Sequence, residues 1–134
     1  MATGSCGGNG ETLVFTCAGA AYSGQVANRS GVQLMEQGAG NLFCIAAVAA
    51  GVEQKLDRAR KAGRRVAIDG CEDHCVRKVL EKAGLAADVH IVLSDMGIEK
   101  KPARPNMIND AKKIVETVKL KLGTGAPRPG GCCG

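Results

Sequence analysis

Aromatic side chains are almost absent from this chain of 134 residues, which has no Trp, one Tyr and two Phe. Its core must therefore be built from Val, Ile, Leu, Ala and Met. The same shortage argues against nucleic-acid binding, which usually pairs a basic stripe with stacking rings. A net charge of +5 does not restore that reading, because most Lys and Arg lie in helix-like segments beside Glu and Asp, as on solvated faces. Long apolar runs are missing too. The run Asn41–Val52 is too short to span a bilayer, and the Gly-rich, polar N-terminus lacks the charged-then-apolar pattern of a secretory signal. The expectation is a soluble cytoplasmic protein without a nucleic-acid or membrane partner.

What is present suits one folded domain. The chain is long enough to bury a core, and 45% of its residues are hydrophobic. Seven cysteines in a reducing compartment read as metal ligands or redox groups in preference to disulfides.

The pattern along the chain alternates strand and helix. The Gly-rich segment 1–11, which holds Cys6, is expected to be flexible. Thr12–Cys17 reads as a strand, and Ser23–Gln37 as a helix facing inward through Val26, Ala27, Leu34 and Met35, with Gly31 as its weak point. Asn41–Cys44 reads as a second strand. Ile45–Ala62 reads as one helix with Val48, Val52, Leu56 and Ala59 on its apolar face. Arg64–Asp69 is a third strand and Glu72–Ala83 a third helix, closed by Gly84, whose apolar face directs Cys75 inward toward Cys71. Asp88–Ser94 is a fourth strand.

A Pro-marked connector, Lys100–Pro105, leads to an amphipathic helix, Asn106–Leu122. Met107, Ile108, Ala111, Ile114, Val115, Val118 and Leu122 form its stripe. The tail 123–134, with Cys132 and Cys133, is disordered by composition. The expected fold is α/β over 12–122: a single-domain, mainly parallel four-stranded sheet with helices on both faces, a Rossmann-like three-layer arrangement.

The cysteines carry a regularity. Cys17 to Cys44 is 44 − 17 = 27 residues, and Cys44 to Cys71 is 71 − 44 = 27. Each closes a strand and precedes a helix, so the spacing is that of one strand-plus-helix unit and sets the thiols along one edge of the sheet. Cys75, one helical turn beyond Cys71, supplies a fourth sulfur. Sites in such folds lie beyond the carboxyl ends of the strands. Helix N-termini there favour thiolate over thiol. Four thiolates on one edge suit Zn²⁺ in tetrahedral coordination, and an iron–sulfur cluster uses the same ligands.

The central Asp69-Gly70-Cys71, with Cys75 and the upstream Cys17 and Cys44, resembles the motif of the DGC domain family. The resemblance runs from about Leu13 to Lys101. It includes Ser23-Gly24-Gln25-Val26-Ala27-Asn28 and Asp95-Met96-Gly97-Ile98-Glu99-Lys100. The family is recognised by four potential chelating cysteines, matched here by Cys17, Cys44, Cys71 and Cys75. The resemblance thus implies a zinc site without implying a biological purpose. Cys6, Cys132 and Cys133 lie outside it.

Other residues have quieter readings. Asp69 is expected to end the strand or cap the following helix, His74 to lie exposed on a helix, and His90 to be structural within its strand. A second layout, Cys17-Ala-Gly-Ala-Ala-Tyr22-Ser23, is similar to the phosphate loop of low-molecular-weight phosphatases and thiol arsenate reductases. Tyr22 stands where their Arg would clamp the oxyanion, which argues against phosphatase chemistry. The expected function is a non-catalytic protein holding one Zn²⁺. The alternatives are thiol redox chemistry, sulfur or soft-metal handling, or an iron–sulfur protein.

Overall fold

The computed structural model describes residues 10–101 and 106–123. The expectations for 1–9, 102–105 and 124–134, including Cys6, Cys132 and Cys133, lie outside the described residues.

Four parallel strands form one sheet in the order β2-β1-β3-β4: β1 Thr12–Thr16, β2 Asn41–Phe43, β3 Arg64–Asp69 and β4 Val89–Val92. The helices are α1 Tyr22–Glu36, α2 Ile45–Ala49, α3 Glu53–Lys61, α4 Cys75–Lys82 and α5 Met107–Lys121, with a 3-10 turn at Leu93–Met96. This is the expected single-domain α/β arrangement with helices on both faces.

Side chains alternate across the strands. Val14, Val66, Ile68, Val89 and Ile91 pack against α1 and α5 through Val26, Leu34, Ile114 and Val118. Leu13, Phe15, Phe43 and Ala67 face the other layer, where Val48, Ala59, Val76 and Leu80 come from α2, α3 and α4. Among the described residues, no helix is long and apolar enough to cross a membrane.

The order of the strands selects the site. The chain runs from β1 to its neighbour β2, then returns past β1 to place β3 on the other side. The connections therefore diverge at the carboxyl ends of β1 and β3, and ligands of open α/β sheets bind in the crevice at such a switch point. Cys17 follows β1 directly, and Cys71 follows β3 after a single glycine.

Several expected elements are corrected. The helix over Ile45–Ala62 is two helices, because Gly51 takes a left-handed conformation (φ 76°) that ends α2. Val52, at the junction, is 43% exposed instead of buried. Met35 and Ile108 also face solvent, at 44% and 58% exposure. The third helix starts at Cys75 and not at Glu72. The fourth strand is Val89–Val92, because the chain folds at Leu93 into the 3-10 turn.

Gly31, the apparent weak point of α1, has a packing reason. A Cβ there would stand 2.6 Å from Thr16 Cγ2 and 2.7 Å from Leu42 Cδ1, so its absence lets the helix lie close on β1 and β2. Gly31→Ala is expected to destabilise the fold by about 1 kcal/mol or more, because overpacking outweighs the gain in helix propensity. Denaturant unfolding checks this; a more stable variant would refute the packing account.

Candidate functional site

Hydrogen-bonded register fixes the height of each thiol above the sheet. Phe43, Phe15, Ala67 and His90 form one rung across the four strands. Above it, Cys44 is 44 − 43 = 1 residue along, Cys17 is 17 − 15 = 2, and Cys71 is 71 − 67 = 4. The equal sequence intervals therefore share an edge but not a height. Cys17 is still held by the ladder, since its N–H donates to the Ile68 carbonyl at 2.9 Å. Its sulfur accepts the Gly19 N–H at 3.3 Å.

Three loops meet at the switch point, and glycines let them meet. A Cβ on Gly70 would lie 2.9 Å from Gly24 N and 3.0 Å from the Ser23 carbonyl carbon. A Cβ on Gly24 would lie 2.8 Å from the Gly19 oxygen. The Cys17 loop, the start of α1 and the turn carrying Cys71 are thus stacked backbone on backbone. The loop is also tied down by Gln25, whose amide donates to the Gly19 carbonyl at 2.8 Å.

Asp69 organises the opposite side of that turn. It is 1% exposed and accepts the Val76 N–H at 2.7 Å and the Arg77 N–H at 3.3 Å. These are first-turn donors of α4 that no helical carbonyl can reach. Its Oδ2 also lies 2.7 Å from His90 Nε2, and because a carboxylate can only accept, that nitrogen carries the hydrogen. The expected capping role of Asp69 and structural role of His90 both hold, and the pairing of the two is new.

Residues 71–74 bridge from Gly70 to the helix as a turn that ends at His74, the lone non-glycine with positive φ (54°) among the described residues. His74 is half-buried instead of exposed on a helix. Its ring packs edge-on against His90, with centroids 5.2 Å apart.

The thiols are not placed alike. Cys17 and Cys71 are partly buried; Cys44 and Cys75 are exposed. Cys75 does not turn into the apolar face as expected, because α4 begins with it and buries Val76 and Leu80. Although the residue is exposed overall, partial desolvation of its sulfur pushes its pKa up, and the charges of Cys17, Asp73, Asp69 and Cys71 push it further. Among the described residues, the sulfurs of Cys17, Cys71 and Cys75 do not form a group of ligand atoms within 4.8 Å of one another. Cys44 lines a groove of about 350 Å³ with Thr16, Ala18, Asn28 and Phe43 among its walls.

Among the described residues, the group of potential ligand atoms lying within 4.8 Å of one another is Cys71, Glu72 and Asp73. Cys71 Sγ is 3.4 Å from Asp73 Oδ2. Lys100 enters this group, with Nζ 3.7 Å from Glu72 and 3.6 Å from Asp73. The sequence carries no local signal for it, since it comes from 29 residues away (100 − 71 = 29).

Tyr22 is a strut. Its N–H donates to the Lys100 carbonyl at 2.9 Å, while its hydroxyl donates to Asp110 at 2.8 Å and accepts the Asn106 N–H at 2.7 Å. Burial and the adjacent Asp110 raise its pKa. The phenol is thus committed to holding Asn106 and α5, and supplies no substitute for an oxyanion-clamping Arg.

The profile of the DGC domain matches residues 13–118, a range that includes Cys17, Cys44, Cys71 and Cys75. The chain belongs to the DGC domain family. The DGC domain here is also similar to the anaerobic and virulence modulator AnvM of Pseudomonas aeruginosa, with 29% identity over 116 residues, 87% of this chain and 88% of the relative. No solved structure matches the chain.

The three letters of the DGC motif have separate tasks in this structure. Asp69 caps α4, Gly70 lies against α1, and Cys71 stands beyond both. Gly70→Ala sets a methyl against backbone that cannot yield, and an expected loss of about 2 kcal/mol follows. Gly19→Ala meets only Cys17 Sγ at 3.4 Å, an ordinary contact, and is expected to be within about 0.5 kcal/mol of the parent. Thermal unfolding of the pair checks the stacking; equal stability of the two variants would refute it.

Proposed function

We propose that this DGC domain holds one thiophilic divalent cation, Zn²⁺ foremost, through Cys17, Cys44, Cys71 and Cys75. The observation that carries the reading is the placement of Cys17 and Cys71 just beyond the carboxyl ends of the adjacent strands β1 and β3, with Cys75 opening α4 from the same turn. Three soft donors from two chain segments suit zinc far better than they suit a hard cation.

The fit has a geometric condition. Tetrahedral zinc at about 2.3 Å from each sulfur sets the sulfurs about 3.8 Å apart. Loading the site therefore requires the thiols to close on one another, with Cys44 rotating from its groove to supply the fourth. Cys75 gives up the proton that burial and its neighbours hold on it, so zinc binding strengthens as pH rises toward and above the ordinary thiol range.

A closed four-sulfur site has no open position for substrate. It supports a structural or carrier role without turnover, in a reducing cytosol that keeps thiols free. The same donors fit an iron–sulfur cluster, which visible absorbance would reveal. The exposure of Cys44 beside its groove favours a second reading, in which that thiol handles sulfur or exchanges disulfides.

Elemental analysis with thiol counting, on untagged protein purified without chelator, tests the proposal. About one zinc per chain with four thiols protected until chelator is added is the expected result. A metal-free protein with freely reactive Cys17 and Cys71 would overturn it in favour of the thiol reading. Cys71→Ser is expected to abolish zinc binding and lower the melting temperature, whereas Cys132→Ser should do neither. Stoichiometric zinc in the Cys71 variant would contradict the ligand assignment.

A further inference from the structure

The four thiols of the edge stand on backbone of unequal firmness. The Cys17 N–H is tied into the ladder through the Ile68 carbonyl at 2.9 Å. Cys71 follows Gly70, whose backbone lies against Ser23 and Gly24. Cys75 opens the helix whose first turn Asp69 caps. Cys44 is held less firmly. It precedes α2, a helix of five residues in which Val48 alone is buried and which the left-handed Gly51 ends. The hydrogen bond that starts α2, from the Val48 N–H to the Cys44 carbonyl, is stretched to 3.4 Å.

Cys44 is also the outlying donor. β2 stands at one end of the sheet with β1 between it and β3, which sets Cys44 about 10 Å across the sheet from the turn of Cys71 at the usual strand spacing. Its thiol is exposed, and the groove of about 350 Å³ that it lines has room for a small thiol beside it. We infer that Cys44 is the exchangeable ligand of the zinc site, whose place an incoming thiol takes while Cys17, Cys71 and Cys75 keep hold of the cation. The inference rests on the zinc reading and gives its carrier role a route for loading and release.

The exchange balances with one proton. As the sulfur of the incoming thiol bonds to the cation, its proton passes to Cys44, whose own bond to the cation breaks and which leaves as the free thiol. Neither an oxidant nor a reductant takes part. A segment anchored by one buried side chain opens at lower cost than a ladder or a capped turn, so Cys44 leaves before the other three.

The test uses the full chain, kept reduced with a phosphine and carrying Cys6→Ser, Cys132→Ser and Cys133→Ser, so that only the thiols of the edge remain. Zinc content, and affinity by competition with a chromophoric chelator, are measured on this parent and on Cys44→Ala and Cys71→Ala, with and without 2-mercaptoethanol. Cys44→Ala is expected to keep about one zinc per chain at lowered affinity, and 2-mercaptoethanol to tighten its binding on the order of tenfold. Cys71→Ala should lose zinc with no rescue. A second readout needs no variant of a ligand: slow alkylation of the zinc-loaded parent, mapped by peptide mass, is expected to label Cys44 first.

Zinc bound by the parent but lost from Cys44→Ala without rescue would overturn the inference and leave the zinc reading standing. Equal rescue of both variants, or first labelling at Cys17, Cys71 or Cys75, would overturn it too. A parent that binds no zinc would instead overturn the zinc reading, and the exchange with it.

Discussion

Gly70 lies with its backbone against Ser23 and Gly24, too close for any side chain between them. The arrangement of the switch point depends on that contact. The connection leaving β1 and the connection leaving β3 diverge to opposite faces of the sheet, which opens a crevice at their carboxyl ends. Glycine on both sides closes the crevice to backbone contact at one level and leaves Cys17 and Cys71 beyond it. A larger residue would push α1 away from the turn and widen the distance between thiols that come from separate chain segments.

Asp69 secures the other side. A buried carboxylate is costly unless its hydrogen bonds are complete, and here they come from Val76 and Arg77 at the start of α4 and from His90 on β4. One side chain therefore joins a strand, a helix and the neighbouring strand. The turn 71–74 is held at both ends, by Gly70 below and by the capped helix above. His74 adopts its left-handed backbone within that frame, packed on His90. Cys71 and Cys75 flank a segment whose course is set by atoms that are not themselves donors, as befits groups around a metal or a reactive thiol.

The sheet was legible from local pattern, and the long-range links were not. β3 runs over the expected residues, Arg64–Asp69, because an apolar run ending in Asp-Gly marks a strand and its turn together. The alternation of strand and helix identified the edge on which the cysteines lie. Equal intervals of 27 residues did not reveal their unequal heights, since the loop after each strand differs in length. Periodicity carried the helix pattern straight through Gly51, where a left-handed turn breaks it. It also extended the third helix back over 72–74, because the cap that starts α4 comes from Asp69 and not from the adjacent residue. The approach of Lys100 to Cys71 and of His90 to Asp69 depends on strand order, which no local window contains.

The proposed function is that of a holder of soft cations whose ligands are presented by backbone packing. Zinc K-edge X-ray absorption on the zinc-loaded chain tests this most directly. The account predicts a first shell of four sulfurs at about 2.3 Å. A shell dominated by oxygen or nitrogen at about 2.0–2.1 Å would contradict it.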